Sequence, residues 1–348
     1  MNITKSSFGT TKDGEEAFLY CMKNTDGAYV TITSYGCRIV KLCVPDKHGE
    51  LRDICLGYDT LEEYEADTAS FGAVVGRHAN RIGKGIFTLN GQTWQLAINN
   101  GPNHLHGGLR GFHHYNWDSQ ITGNSIRFTR LSPDGEENYP GNLTMSVTYT
   151  WSEDNELSIS YEATSDADTV FNTTNHAYFN LDGEDSSTVL DHTLFINADS
   201  FTEADENTLP TGKILDVTDT PFDFRKPKPI GQDIHAPHPQ LQYTRTYDHN
   251  FVLSGCGLRE AAVLLSENSG IRMTCFTDQP GLQIYVPASS PAKRGKEGHY
   301  YPAYGSVCLE TQHFPDATSH PDFPSVILKA GDTFKSKTIY HFSVSSRK

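Results

Sequence analysis

The chain has 348 residues, room for one large domain or two ordinary ones, and 36% of it is hydrophobic. Glycine (29), proline (17), tyrosine (17) and phenylalanine (18) are plentiful, a balance that favours many short strands joined by turns. The formal net charge of −15, without any basic cluster, argues against nucleic acid or an anionic membrane surface as a partner.

The opening residues have no apolar stretch behind them that would serve as a signal peptide, and no segment approaches the length of a membrane span. Residues 60–66 read as one or two helical turns; long amphipathic helices are not expected elsewhere. Residues 86–89 and 94–98 flank Asn90-Gly91, a strong hairpin signal because both residues tolerate positive φ. Gly123-Asn124 separates two more strands. Val147, Tyr149 and Trp151 alternate with threonines, and Leu157, Ile159 and Tyr161 alternate after the turn Glu153-Asp154-Asn155, which predicts a hairpin with one buried face. The Pro-rich segment 219–239 reads as a surface excursion, because strand patterns resume on both sides of it. Further strands are expected over 263–265, 271–276, 282–286 and 306–310. No internal repeat or low-complexity linker divides the chain. The expected fold is all-β: a large antiparallel β-sandwich forming a single domain over 1–348. Seven cysteines, at 21, 37, 43, 55, 256, 275 and 308, are odd in number and lack a C-x-x-C pair. They read as free thiols in a reducing compartment, which makes a cytoplasmic location the expectation.

Three segments carry polar chemistry inside strand-like runs. In Asn103-His104-Leu105-His106-Gly107-Gly108, the glycines would let the backbone turn and a ligand approach His106. The plainer alternative is a histidine bonded to a loop carbonyl. His104 and His106 also form an H-x-H pair, but no glutamate follows as in cupin metal sites, so no metal is expected. In Thr174-Asn175-His176-Ala177-Tyr178-Phe179-Asn180, the amides would orient the imidazole and the aromatics would exclude water; a satisfied core histidine competes equally. Glu310, in Leu309-Glu310-Thr311-Gln312, is a carboxylate at the end of an apolar strand. That placement costs free energy unless the group is hydrogen-bonded, paired with an arginine, or wanted with a raised pKa. Gly76-Arg77-His78-Ala79-Asn80-Arg81-Ile82 offers two arginine forks and an amide for hydroxyls or carboxylates. Asp248-His249-Asn250-Phe251 and Gln279-Pro280-Gly281-Leu282-Gln283 add an acceptor and further amides. There is no G-x-G-x-x-G, Walker A loop or G-x-S-x-G elbow.

Taken together and in order, these segments resemble the galactose mutarotases, also called aldose 1-epimerases. Asp134-Gly135-Glu136-Glu137-Asn138-Tyr139-Pro140-Gly141 and Phe323-Pro324-Ser325 extend the likeness to nearly the whole chain, from about Phe8 to Ser343. The resemblance implies a β-sandwich with an open sugar cleft, no cofactor, and interconversion of α and β anomers of aldohexoses such as galactose and glucose. It implies Glu310 as general base, His176 as general acid and His106 as a second active-site histidine. Asn80, Arg81, Asp248 and Gln283 would bind sugar hydroxyls. The implied partner is a small-molecule aldohexose, and monomer or homodimer stays open. Asn138, His78 and Val286-Pro287-Ala288 depart from the family pattern, the last in a position to alter the cleft wall. Three rivals stand beside this reading. One is a carbohydrate-binding module that has lost catalysis, against which the joint presence of His106, His176 and Glu310 counts. Another is an epimerase of phosphorylated sugars, which would want more cations than Arg77 and Arg81. The most distant is a cupin-like metal enzyme.

Overall fold

Alternation along two strands sets the layers. Leu143–Trp151 and Glu156–Ser165 pair antiparallel, with Val147 opposite Tyr161, Tyr149 opposite Ile159 and Trp151 opposite Leu157, and all six side chains are buried on one face. In this computed structural model, which describes residues 2–292 and 294–344, the pair lies inside a nine-stranded antiparallel sheet. Its other long members are Ser125–Ser132, Thr333–Val344, Ile271–Thr277 and Arg259–Leu265.

A six-stranded sheet faces it. From one edge, the order is Tyr178–Phe179, Val307–Gln312, Gly281–Tyr285, Asp248–Leu253, Ala198–Ala204 and Pro210–Asp216. Leu282, Ile284 and Leu309 point inward from it and share one core with Ile159, Met273 and Tyr340 of the large sheet. The Tyr340 hydroxyl donates to the Leu309 carbonyl at 2.8 Å, so even the polar tip of this core residue is satisfied. Each such buried aliphatic side chain contributes roughly 1.5–3 kcal/mol. A five-stranded sheet from Asn2–Thr10 to Leu51–Asp53 adds Tyr20, Val30, Ile32 and Leu42 to the same core.

The turn chemistry behaves as its residues require. Asn90 and Gly91 take φ of 51° and 78°, and the hairpin closes between Ile86–Leu89 and Gln92–Gln95, two residues earlier in its second strand than the apolar pattern predicts. Asn155 supplies positive φ to the Trp151–Glu156 turn. The short helix Leu61–Glu65 starts on a reciprocal cap: Thr60 accepts from the Glu63 N–H while the Glu63 carboxylate accepts from the Thr60 N–H.

The segment 219–239 lies mostly at the surface, as expected, but four apolar residues anchor it in the core. Phe222, Phe224, Ile230 and Ile234 are buried, Phe222 stacks on Phe201 at 4.2 Å, and Lys228–Pro229 pairs with the edge of the large sheet. Its apolar residues follow neither a 2.0 nor a 3.6 period, because prolines interrupt the backbone, yet burial of their area still drives them inward. All seven cysteines are free; five are buried, Cys21 is partly buried and Cys256 is exposed. Among the described residues, no helix is long and apolar enough to cross a membrane.

Candidate active site

Strand pleating puts one polar face on the six-stranded sheet. Cys308, Glu310 and Gln312 alternate with Leu309 and Thr311, so they share the face opposite the core. The neighbouring strand sets Tyr285 beside Cys308 and Gln283 beside Glu310, and the next sets Asp248 beside Tyr285. A carboxylate at 310 is thus delivered by register, not by a loop. Glu310 is only 2% exposed and its Oε2 has no hydrogen-bond partner among the described residues. Burial, reinforced by the Asp248 charge and opposed by Arg81, holds its carboxyl well above the ordinary carboxylate range.

His176 reaches the same point from another element. It ends the strand Thr174–His176, which pairs with Ala73–Val75, and its backbone carbonyl accepts from the Gly72 N–H. Its Nε2 lies 3.6 Å from Glu310 Oε1, and its Nδ1 lies 3.7 Å from Cys308 Sγ. Tyr178 stacks on the ring at 4.9 Å. Burial lowers His176 to about 4. Asn175 and Asn180 do not orient the imidazole, as the sequence suggests; their amides donate to the Gly72 and Gly305 carbonyls and brace the backbone instead.

His106 follows the two-residue strand His104–Leu105, at φ 50°. It is locked to Asn80 twice: its N–H donates to the Asn80 carbonyl, and its Nδ1 accepts from the Asn80 N–H, both at 3.1 Å. The ring meets His176 edge-on at 5.2 Å. Gly107 and Gly108 are needed, but for protein rather than ligand. A Cβ at 107 would fall 1.9 Å from the Gly76 carbonyl oxygen, and one at 108 would fall 2.0 Å from the Glu137 carboxylate. His104 takes no part in the cleft: its nitrogens meet the Ala97 carbonyl and the Tyr139 hydroxyl.

The predicted hydroxyl-binding residues divide. Arg81 and Asp248 face each other at 3.9 Å across the cleft, and Asn100 accepts from Arg81 Nε at 3.0 Å. Asn80 lines the same space. Gln283 stands behind: its amide donates to Asp248 Oδ1 at 2.6 Å and its carbonyl faces Gln312. Arg77 is absent from the cleft. Buried to 2% exposure, it donates to the carbonyls of Ser132, Pro133, Pro140 and Gly141, and so serves as an internal brace.

These groups wall an open cavity of about 350 Å³. Tyr178 lines it, as the aromatics beside His176 suggest, but sequence reasoning missed Tyr285, the rim residues Thr68 and Ser70, and Ser289 to Pro291. The rim at 68–70 is set by a buried ion pair. Asp67 accepts from Arg38 at 2.6 Å and from the backbone N–H groups of Ala69 and Phe71. Nothing in the local pattern around Asp67 marks it, because its partner Arg38 is remote in sequence.

Ligand-capable atoms of His106, His176 and Glu310 lie within 4.8 Å of one another, which raises metal binding as a use for them. The hydrogen bonds oppose it. A backbone N–H can only donate, so the Asn80 N–H fixes His106 Nδ1 as acceptor and leaves the ring hydrogen on Nε2. His106 therefore presents a donor where a metal needs a lone pair. The trio fits proton transfer and hydroxyl binding.

The class these features define is a β-sandwich protein with a buried imidazole–carboxyl pair on the wall of a polar cleft. The family model described as aldose 1-epimerase matches residues 19–341, and the chain belongs to the aldose 1-epimerase family. It is similar to the galactose mutarotase of Sus scrofa, with 42% identity over 347 residues that span 99% of this chain and 100% of that protein. It is also similar to the aldose 1-epimerase of Escherichia coli (strain K12), 36% identical over 95% of this chain and 96% of that protein. Among solved structures, a galactose 1-epimerase from Lactobacillus acidophilus superposes with a TM-score of 0.86 at 28% identity, covering 99% of both chains.

Proposed function

We propose that this protein is an aldose 1-epimerase that interconverts the α and β anomers of aldohexoses such as galactose and glucose. The observation that carries the reading is the His176–Glu310 pair, 3.6 Å apart on the wall of the cavity that Arg81 and Asp248 also line. Changing an anomer requires the C1–O5 bond to break. Glu310 takes the proton of the C1 hydroxyl, whose electron pair becomes the C1=O1 double bond. The C1–O5 pair passes to O5, which receives a proton from His176. Rotation about C1–C2 and the reverse transfers close the ring on its other face and restore both groups. O1 and O5 are bonded to the same carbon, so an acid and a base this close can serve both at once.

Binding needs donors and acceptors without excess charge. Asp248 accepts from hydroxyls, Arg81 and the Nε2–H of His106 donate, and Asn80 can do either. Gln283 supports the sugar through Asp248. Tyr178 and Tyr285 offer aromatic surface to the sugar's C–H face. The one core that runs from Tyr20 to Phe342 supports a single domain. Every residue in the scheme comes from one chain, so either a monomer or a homodimer would be active. The free, mostly buried thiols favour a reducing compartment, the cytoplasm.

Polarimetry on freshly dissolved α-galactose, α-glucose and α-glucose 6-phosphate tests the reading. The protein should accelerate the first two well beyond the spontaneous rate. It should act poorly on the phosphate, since among the described residues Arg81 is the one arginine lining the cavity and it already faces Asp248. Sugar binding without acceleration would make the protein a binding module instead.

A further inference from the structure

Which nitrogen of His176 moves the proton is decided behind the ring, not in the cleft. We propose that Cys308 is a positioning residue for the reaction: its sulfur accepts the Nδ1–H of His176 and so keeps Nε2 as the atom that gives and retakes the proton. This rests on the reading of His176 as the acid. Nε2 faces Glu310 at 3.6 Å, while Nδ1 points the other way, to Cys308 Sγ at 3.7 Å. The residue's own carbonyl, which takes the Gly72 N–H with one lone pair, can share the ring N–H on this side through its other, and both acceptors select the same tautomer. Cys308 and Glu310 stand two residues apart on one strand face, so a single strand grips both edges of the ring.

The sulfur suits this task because it is weak and uncharged. Burial, with the Glu310 charge, pushes the Cys308 thiol well above its ordinary value, so it stays S–H. A carboxylate in its place would stabilise the imidazolium and make His176 a poorer acid. The other neighbours of the ring set its charge without fixing its tautomer. His106 and Tyr285 meet it edge-on and Tyr178 stacks on it, while Asp67 favours and Arg38 opposes the protonated form.

Nitrogen NMR of histidine-labelled protein tests the assignment without turnover, so its outcome is separate from that of any activity assay. Neutral His176 should show hydrogen on Nδ1 and a bare Nε2. Cys308→Ala should mix the two tautomers and lower kcat by about 10-fold, the usual scale for losing a group that orients a reacting one, with KM nearly unchanged. Cys308→Ser, whose hydroxyl also accepts, should keep the wild-type tautomer and most of kcat. A neutral ring with hydrogen on Nε2 in the wild-type protein overturns the proposal. So does a Cys308→Ala protein with wild-type tautomer and kcat. If Cys308→Ala does not fold, the wild-type and Cys308→Ser spectra decide it.

Discussion

Nε2 of His176 stands 3.6 Å from Oε1 of Glu310, too far for a hydrogen bond and close enough that each group feels the other's charge. Burial disfavours the charge on both, while their mutual attraction favours the ion pair. The two arrangements, carboxylate with imidazolium and carboxylic acid with neutral imidazole, hold the same number of protons. In the proposed mechanism they are also the states before and after ring opening. On that reading the pair needs one proton between its two members, and ring opening moves that proton through the substrate.

That count predicts a bell-shaped pH dependence of kcat. Activity falls at low pH when the pair gains a second proton, and at high pH when it loses the only one. With His176 lowered to about 4 and Glu310 raised above the carboxylate range, the acid limb should lie well below 6.5 and the alkaline limb above the ordinary carboxylate range. Polarimetric rates corrected for spontaneous mutarotation across pH 4 to 9 check this. An acid limb at the ordinary histidine value would mean that His176 does not titrate as part of the pair.

The proposed role of Gln283, holding Asp248 for the sugar, has a kinetic signature. Gln283→Leu removes a hydrogen bond to a charged group, worth about 1.5–3 kcal/mol, so kcat/KM should fall roughly 10- to 100-fold. Most of that loss should appear in KM. Asp248→Asn should cost at least as much. A Gln283→Leu protein with wild-type KM would show that Asp248 holds its position unaided.

Buried histidines should make the fold acid-labile. Burial lowers His78 and His249 to about 3, and His104 and His192 to about 4. A histidine of this kind binds fewer protons folded than unfolded. Its stability contribution is whole above about pH 6.5 and is lost as pH falls toward the folded value, at about 1.4 kcal/mol per pH unit per proton. Glu184, Glu310 and Asp316, raised by burial, act in the opposite sense but are fewer. Denaturant midpoints measured from pH 7 down to pH 4 should decline steadily. A flat profile would contradict the burial of these rings.

His78 gives that effect a local test. It is fully buried, and among the described residues its ring nitrogens make no well-formed hydrogen bond, with only the Ala79 backbone close enough to favour the charged ring. His78→Leu removes two desolvated polar atoms at similar volume, so it should stabilise the protein by about 1–2 kcal/mol and flatten the acid slope. Destabilisation by a similar amount would mean that the ring's polar atoms are satisfied.

Much of this was legible before any coordinates. Asn90-Gly91, Asn155 and Thr60 specify their turns and cap through their own conformational preferences, which act locally. Glu310 was marked by its misfit with an apolar strand, and the structure brings it to His176 from 134 positions away along the chain, less than 4 Å in space. What stayed hidden depends on partners remote in sequence. Arg77 looks like a cleft arginine until the carbonyls of 132, 133, 140 and 141 close around it. Asp67 needs Arg38 to shape the rim, and the aromatic residues of 219–239 need Phe201 and Tyr247 to become core. Tyr285 reads as an ordinary strand residue, and only the register of three strands turns it toward the cavity.

The most direct measurement is the anomerisation rate of Glu310→Gln alongside its sugar affinity. The amide keeps the shape of the carboxyl but takes no proton. Turnover should fall by about 10²–10⁴ or more while galactose binding stays measurable. A folded Glu310→Gln protein that epimerises galactose at near wild-type rate would contradict the account.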